Sequence, residues 1–242
     1  MLFDPLWIAI MVISLILGGL TQWYIKSTFK KYSKVSLARP ASGQQVAERT
    51  LRASGLPVAD ASGFTGGAGA FGKRPVTIAR STQGKLSDHF DPRSNTVALS
   101  CEVHDKSTVA AAAVAAHEVG HAVQNAQGYL PIKIRSAMVP AANIGSQFSF
   151  ILIIAGIFTG IMNLAWLGIA LFAAAVLFQI VTLPVEFNAS RRAMVMLRET
   201  GTLTAAEIPA ARKVLTAAAL TYVAAALISV MYLLYWIGLA RD

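Results

Sequence analysis

Cysteine and charged residues are both scarce in this chain of 242 residues. The single cysteine, Cys101, excludes an intrachain disulfide, which fits a reducing compartment. We interpret it as a buried or edge-strand thiol rather than as a catalytic nucleophile. Charged side chains form only 14% of the chain, and acidic residues number 12 against 21 Lys and Arg. This shortage of charge argues against an ordinary soluble domain.

Several functional signatures are also missing. Residues 62–72 are rich in Gly and Ser but lack the phosphate-loop pattern, so we interpret them as a flexible loop or hairpin edge. No repeat with a period of about 20 to 50 residues is present. The net charge of +9 is not accompanied by a recognisable nucleic-acid-binding motif, so no nucleic acid partner is expected.

Long apolar runs dominate the chain instead. Hydrophobic residues make up 55% of it and the mean hydropathy is +0.55, values typical of an integral membrane protein. Leu6 to Ile25 is the first expected span, and no basic segment precedes it, which argues against a cleaved signal peptide. Further apolar runs cover residues 148–160, 164–183 and 215–238. We therefore predict about four transmembrane helices.

The positions of the basic residues predict the topology. Twenty of the 21 Lys and Arg lie between Lys26 and Lys213. Because basic residues accumulate in cytoplasmic segments, both polar segments between the spans are expected in the cytoplasm, and both termini outside. Residues 161–163 carry no charge, so the second and third runs are expected to form a hairpin. The first run is followed at once by a basic cluster, which consists of Lys26, Lys30, Lys31, Lys34 and Arg39.

Residues 117–121 read His-Glu-Val-Gly-His and lie in a stretch expected to be helical. Residues i and i+4 share one face of a helix, so His117 and His121 can offer two imidazoles to one metal ion. Glu118 beside them can accept a proton from water, as in the zinc protease helix. The alternative is a helix surface that merely carries two histidines.

A catalytic zinc ion needs about three protein ligands and one open position. We choose Glu186 as the third ligand because it follows the predicted hairpin and is expected to open a helix just past a span. The alternative for Glu186 is a salt bridge to Arg191 or Arg192. Other candidate third ligands are His89 and His104 and, more weakly, Asp88 and Asp91.

The expected chemistry is hydrolysis at one catalytic Zn²⁺ ion. Zinc lowers the pKa of bound water from about 16 to roughly 7, and Glu118 is expected to move the released proton to the leaving amine. Ser190, one turn after Glu186, is a candidate hydrogen-bond partner for a ligand imidazole. The developing oxyanion needs a further donor, and residue type alone suggests three candidates, His89, Arg135 and Tyr222.

Two helices are predicted before the second span. The pattern of residues 42–54 indicates a short amphipathic helix that ends at Gly55. The helix that carries the histidines is expected to begin at a cap provided by Ser107 and to continue to Gln127, before Gly128.

Residues 76–79 and 96–100 are predicted to be two short strands. They form either an ordinary antiparallel hairpin or a unit that receives an extended substrate by strand addition. The predicted fold class is therefore a mainly α integral membrane protein. It combines about four transmembrane helices with a small α+β zincin-like domain, which contains the H-E-x-x-H helix and a short β-hairpin or sheet.

Several segments carry a resemblance to a known family. The segments are Leu-Ser-Asp-His-Phe-Asp-Pro-Arg at residues 86–93 and the stretches 115–124, 135–143, 182–193 and 212–223. With them the chain resembles the YugP-like neutral zinc metallopeptidase family of bacterial membrane proteins, over about residues 40–225.

The resemblance implies a gluzincin-like site. His117 and His121 are then metal ligands, Glu118 is the general base and Glu186 is the third ligand. The segment that begins at Glu186 is also similar to that of HtpX-type membrane proteases. The implied location is the bacterial cytoplasmic membrane, with the site facing the cytoplasm.

Two positions depart from the related families. Ser190 stands where related gluzincins often carry Asp, and Asn188 stands where family members often carry Asp. Both departures concern the hydrogen-bond partners of the ligands rather than the ligands themselves.

The predicted function is that of a membrane-bound zinc endopeptidase acting on membrane or unfolded proteins. Its expected partners are a protein or peptide substrate, the lipid bilayer, and a regulatory membrane partner or a second copy of the chain. The alternatives are a non-catalytic membrane adaptor with a structural zinc site and a basic platform for anionic lipid or nucleic acid.

The predicted segments are a first transmembrane helix (1–25), a cytoplasmic metallopeptidase domain (26–147), a transmembrane hairpin (148–183), cytoplasmic helices with the third ligand (184–213), and a last transmembrane helix (214–242).

Overall fold

A computed structural model describes residues 4–59, 74–84 and 87–241. The expectation for residues 62–72 lies outside this range. Most described residues are helical, as the sequence predicts, and three short strands form one small sheet. In chain order the elements are α1 (Pro5–Tyr32), α2 (Gly43–Ala53), β1 (Thr77–Arg80), β2 (His89–Asp91), β3 (Thr96–Leu99), α3 (Cys101–His104), α4 (Val109–Ala126), α5 (Leu130–Thr159), α6 (Met162–Glu199) and α7 (Ile208–Leu239).

The chain divides into two compact units. The first, here called the span unit, contains Met1–Trp23, Leu130–Pro184 and Ala219–Asp242. The second, here called the α/β unit, contains Tyr24–Tyr129 and Val185–Ala218. Three helices, α1, α6 and α7, contribute residues to both units.

The span unit bears out the expectation of about four transmembrane helices. Among the described residues, α1, α5, α6 and α7 are long and apolar enough to cross a membrane. Gly160, in a left-handed conformation with a φ of 70°, turns the chain between α5 and α6. Gly156 faces the backbone of Ala165 so closely that no Cβ fits between them. Small residues of this kind let membrane helices approach each other, so the uncharged segment joins a tightly packed helical hairpin.

Two helix boundaries differ from the prediction. Helix α5 begins at Leu130, well before the apolar run at residue 148, because the intervening polar residues continue the same helix. Helix α6 runs without a break from Met162 to Glu199, with Pro184 inside it. The sequence had indicated that Glu186 opens a new helix. The structure instead places Glu186 within a continuous helix.

The core of the α/β unit is built around α4. This helix is rich in alanine, and most of its residues, on every face, are buried. Helix α2 packs against it with Val46 and Leu51 fully buried, which fits the predicted amphipathic helix. Ser42 starts α2 with a capping box, in which its side chain bonds the Gln45 backbone and the Gln45 side chain bonds the Ser42 backbone. A helix buried on all sides supplies a fixed platform for the side chains that it presents.

Of the predicted hairpin or sheet, the structure contains a three-stranded sheet. The strands at Thr77–Arg80 and Thr96–Leu99 are parallel neighbours, in the register Ile78 to Val97, and not an antiparallel pair. A third strand, β2, lies between the two predicted strands in the chain and pairs antiparallel with β3. The order is β1-β3-β2. The chain crosses from β1 to β2 before it reaches β3, and this longer connection permits the parallel pairing of β1 and β3.

Helix α4 begins one residue later than predicted. The N-cap is Thr108, whose side chain accepts a hydrogen bond from the Ala111 backbone at 3.3 Å. The Ser107 hydroxyl instead accepts a bond from the Ala41 backbone at 2.9 Å and so holds the segment that follows α1. Gly128, with a φ of 65°, follows the end of the helix as expected.

Gly120 lets α4 approach the part of α6 that belongs to the α/β unit. A Cβ atom at this position would lie 2.7 Å from the Ala189 carbonyl oxygen and 3.2 Å from the Ala189 Cα. Because these are backbone atoms, no side-chain rotation can relieve the clash. The glycine between His117 and His121 therefore sets the distance at which the two helices pack.

We predict that Gly120→Ala destabilises the protein by about 1–3 kcal/mol, because the extra methyl group forces the two backbones apart. The measurement is thermal unfolding of the detergent-solubilised protein. Gly18→Ala is the matched control, since a Cβ at Gly18 of α1 meets nothing within 4 Å. An unchanged melting temperature in Gly120→Ala would show that the helices do not pack this closely.

Candidate metal centre

Three side chains from α4 and α6 converge on one point in the α/β unit. His117 and His121, one turn apart on α4, each direct Nε2 toward the Glu186 carboxylate on α6. The distances to Glu186 Oε2 are 3.2 Å from His117 Nε2 and 3.5 Å from His121 Nε2. One ligand atom from each residue lies within 4.8 Å of the other two. The structure thus brings together the three residues that the sequence nominated as ligands.

The donor set fits a divalent metal ion such as zinc. Two imidazole nitrogens and one carboxylate oxygen form the ligand set found in catalytic zinc sites with an open fourth position. Glu186 is only 2% exposed, and burial of a carboxylate is costly unless positive charge or hydrogen bonds offset it. A cation held at the meeting point of the three side chains would supply that charge.

The alternative partners proposed for Glu186 lie elsewhere. Arg192 donates from Nε to Asn188 Oδ1 at 2.6 Å and from a terminal nitrogen to Gln127 Oε1 at 2.7 Å. Arg191 is exposed, whereas Glu186 is buried. The ion-pair contacts of Glu186 within the site are to the two imidazoles.

Each imidazole has a hydrogen-bond partner on its other nitrogen. Ser190 Oγ lies 3.2 Å from His117 Nδ1, so the structure places this serine where the sequence suggested. Gln124 Oε1 lies 3.1 Å from His121 Nδ1. Partners at Nδ1 orient the rings and leave Nε2 available to a metal. The sequence reading missed Gln124, although its position three residues after His121 puts both side chains on one helix face.

Glu118 lies in a buried environment next to His117. Glu118 is only 8% exposed, and this burial raises the pKa of its carboxyl to about 7. The nearby His117 opposes this rise, whereas the charges of Glu186 and Asp88 add to it. A carboxyl group that titrates near neutrality can both accept and return a proton, which suits a general base.

The competing histidines are engaged outside the cluster. His89 is exposed, and its Nδ1 lies 2.8 Å from the Ser87 carbonyl oxygen. His104 Nδ1 lies 2.7 Å from Asp105 Oδ1. Among the described residues, the cluster of possible metal ligands contains neither histidine.

The two weaker acidic candidates have structural partners. Asp88 accepts hydrogen bonds from the Ser100 backbone at 2.7 Å and from the Ser100 hydroxyl at 3.1 Å, and burial raises the pKa of its carboxyl. Asp91 accepts bonds from the Arg93 backbone and the Ser94 hydroxyl in the turn after β2. Their contacts therefore anchor β2 and its turn.

Of the candidate oxyanion donors, His89 belongs to the α/β unit, while Arg135 and Tyr222 belong to the span unit. His89 is close enough to Glu118 for its charge to influence the Glu118 carboxyl. The guanidinium of Arg135 lies 6.0 Å from the centre of the Phe178 ring. The roles of Arg135 and Tyr222 stay predictions.

Cys101 is an exposed free thiol at the first residue of α3. The expectation of a buried or edge-strand thiol was wrong, because the strand before it ends at Leu99 and Ser100 starts the next helix.

Comparison with known proteins assigns the chain to a family. A model of the family described as "Putative neutral zinc metallopeptidase" matches residues 7–66 and 70–241. The chain is also 40% identical over 232 residues to "Putative membrane protease YugP" of Bacillus subtilis (strain 168). The aligned region covers 96% of this chain and 95% of that protein. No solved structure matches the chain. A family-model match over nearly the whole length, together with this identity, shows that the chain belongs to the YugP-like family of neutral zinc metallopeptidases.

Proposed function

We propose that the protein is a membrane-bound zinc endopeptidase of the gluzincin type. The observation that carries this proposal is the convergence of His117, His121 and Glu186 at one buried point. Glu118 follows the first of these ligands directly and has the raised pKa of a group able to exchange protons near neutrality. The family membership supports peptide hydrolysis and zinc as the metal.

Each residue has a defined task in the proposed mechanism. His117, His121 and Glu186 would hold the metal, and zinc, when bound, supplies Lewis acidity toward water and the scissile carbonyl. Glu118 accepts a proton from the attacking water and delivers it to the leaving amine. Three protein ligands leave a coordination position open, and this favours catalysis over the alternative of an adaptor with a closed, four-ligand structural site.

The sheet offers a docking edge for an extended substrate. Strand β2 pairs with β3 on one side, and among the described residues its other side has no strand partner. An extended peptide can add to such an edge through main-chain hydrogen bonds. His89 opens β2 and acts electrostatically on Glu118, so this edge is close to the proposed base. We propose that unfolded or membrane protein segments bind here, with His89 as the candidate oxyanion donor that belongs to the same unit as the cluster.

The proposed location is the bacterial cytoplasmic membrane. The relative from Bacillus subtilis is named a membrane protease, and four apolar helices suit a multi-pass protein. The concentration of Lys and Arg between Lys26 and Lys213 supports a cytoplasmic α/β unit and external termini.

We predict that Glu186→Ala weakens zinc binding by more than about 100-fold, because loss of a ligand exceeds the 10- to 100-fold cost of losing an outer hydrogen-bond partner. The measurement is competition with a zinc-sensitive chelating dye on purified protein. Glu199→Ala is the matched control, because it removes an exposed acid at the end of the same helix. Equal affinities in the two variants would contradict the ligand assignment.

Glu118→Gln should keep zinc affinity within about threefold of the wild type but lower cleavage of labelled casein by about 10²–10⁴-fold, the usual contribution of a positioned base. The amide retains the size of the side chain but cannot accept the proton. Zinc content and cleavage are measured on the same samples. Cleavage at the wild-type rate would remove Glu118 from the mechanism.

The native thiol tests the orientation without any engineering. Cys101 is exposed within the α/β unit, so a membrane-impermeant maleimide should leave it unlabelled in intact spheroplasts and label it after permeabilisation. Cys101→Ser is the control, because any label that remains in this variant must be attached to another protein. Labelling in intact spheroplasts would place the α/β unit, and the proposed site, outside the cytoplasm.

A further inference from the structure

A buried glutamine links the two helices that form the metal centre. Gln124 on α4 is completely buried, and its side chain contacts His121 in the site and two residues of α6. Its Oε1 faces His121 Nδ1 at 3.1 Å. Its Nε2 donates to the Val185 carbonyl oxygen at 2.8 Å and to Asn188 Oδ1 at 3.0 Å. Both amide protons are therefore used, and the oxygen is left for the histidine.

The direction of these hydrogen bonds is fixed independently at two points. A backbone carbonyl can only accept, so the contact with Val185 requires the nitrogen of the Gln124 amide there. The second fixed contact is that of Arg192 with Asn188. The guanidinium can only donate, and its Nε bonds Asn188 Oδ1 at 2.6 Å. Asn188 therefore presents its oxygen to Gln124, which must again donate.

The same order of donors continues to the histidine. Since Gln124 has only its oxygen left for His121, the imidazole must carry a proton on Nδ1. In the neutral ring, Nε2 then bears the lone pair, and this nitrogen is the one directed toward Glu186. Without such a constraint, the Glu186 carboxylate would favour a proton on Nε2, and that form cannot bind a metal through Nε2.

We propose that Gln124 is the positioning residue for His121. Arg192, acting through Asn188, fixes the orientation of the Gln124 amide, so that its nitrogen faces Asn188 and its oxygen faces His121. Together the three side chains hold His121 in the tautomer that offers Nε2 to the metal. The proposal rests on the proposed function only in treating His121 as a metal ligand. His117 is held differently, by the Ser190 hydroxyl, which can either donate or accept and so imposes no tautomer.

The first test replaces the amide with a side chain of similar length. Gln124→Met should weaken zinc binding by about 10- to 100-fold, the usual effect of losing a hydrogen-bond partner of a ligand. Gln44→Met is the matched control, because it makes the same replacement at an exposed position of α2 in the same unit and leaves Gln124, Asn188 and Arg192 intact. Equal zinc affinities in these two variants would overturn the proposal.

The contacts from Arg192 through Asn188 and Gln124 to His121 are here called the relay. A second pair of variants tests the relay even if Gln124→Met does not fold. Asn188 uses only its oxygen toward Gln124 and Arg192, so Asn188→Asp keeps both contacts and should bind zinc within about threefold of the wild type. Asn188→Leu removes both contacts and should bind zinc several-fold more weakly than Asn188→Asp. A purely structural role would instead lower thermal stability in Asn188→Leu without separating the two zinc affinities, and that result would overturn the relay.

A spectroscopic readout separates this proposal from the proposed function. In protein labelled with ¹⁵N-histidine, the wild type should show a slowly exchanging proton on His121 Nδ1, with or without added zinc, and Gln124→Met should lose it. If the wild type shows this proton but binds no zinc, the metallopeptidase proposal fails while the positioning role of Gln124 stands. An unprotonated His121 Nδ1 in the wild type would overturn the positioning role whatever the zinc result.

Discussion

Burial of one carboxylate is the constraint on which the rest of the α/β unit depends. Glu186 is 2% exposed, and its carboxylate faces two imidazole nitrogens. A buried ionised group is tolerated when paired charge and hydrogen bonds replace the water it has lost. A divalent cation between the three side chains would provide that compensation most fully, so the burial of Glu186 and the proposed metal binding would have one physical cause.

The packing of α4 against α6 makes this arrangement geometrically possible. Alanines on α4 let neighbouring elements approach it from every side, and Gly120 lets the Ala189 backbone come within contact distance. The same close approach places Gln124 beside Val185 and Asn188. A single short distance between two helices thus sets the positions of the ligands and of the residues that orient them.

Local sequence patterns predicted much of this site. The spacing of His117 and His121 fixes their common face whatever surrounds the helix, because it depends only on helical geometry. Glu186 and Ser190 could be nominated because the uncharged hairpin returns the chain to the side from which it left. The amphipathic pattern of α2 and the four apolar runs were equally local signals.

Features that depend on tertiary contacts could not be predicted in this way. The parallel pairing of β1 with β3 joins segments separated by a third strand, and a four-residue strand carries no sequence signal for its partner. The continuation of α6 past Pro184 contradicts the local preference of proline for helix starts. The role of Gln124 was missed because a glutamine on a helix face is ordinary until its neighbours on another helix are known.

Zinc K-edge X-ray absorption on the purified wild-type protein tests the central claim most directly, since it reports the ligand atoms themselves. The account predicts a shell of nitrogen and oxygen atoms at about 2.0–2.1 Å, with the multiple scattering of two imidazoles, one carboxylate oxygen and one exchangeable solvent oxygen. A closed site with three or four imidazoles, or with sulfur at about 2.3 Å, would contradict it.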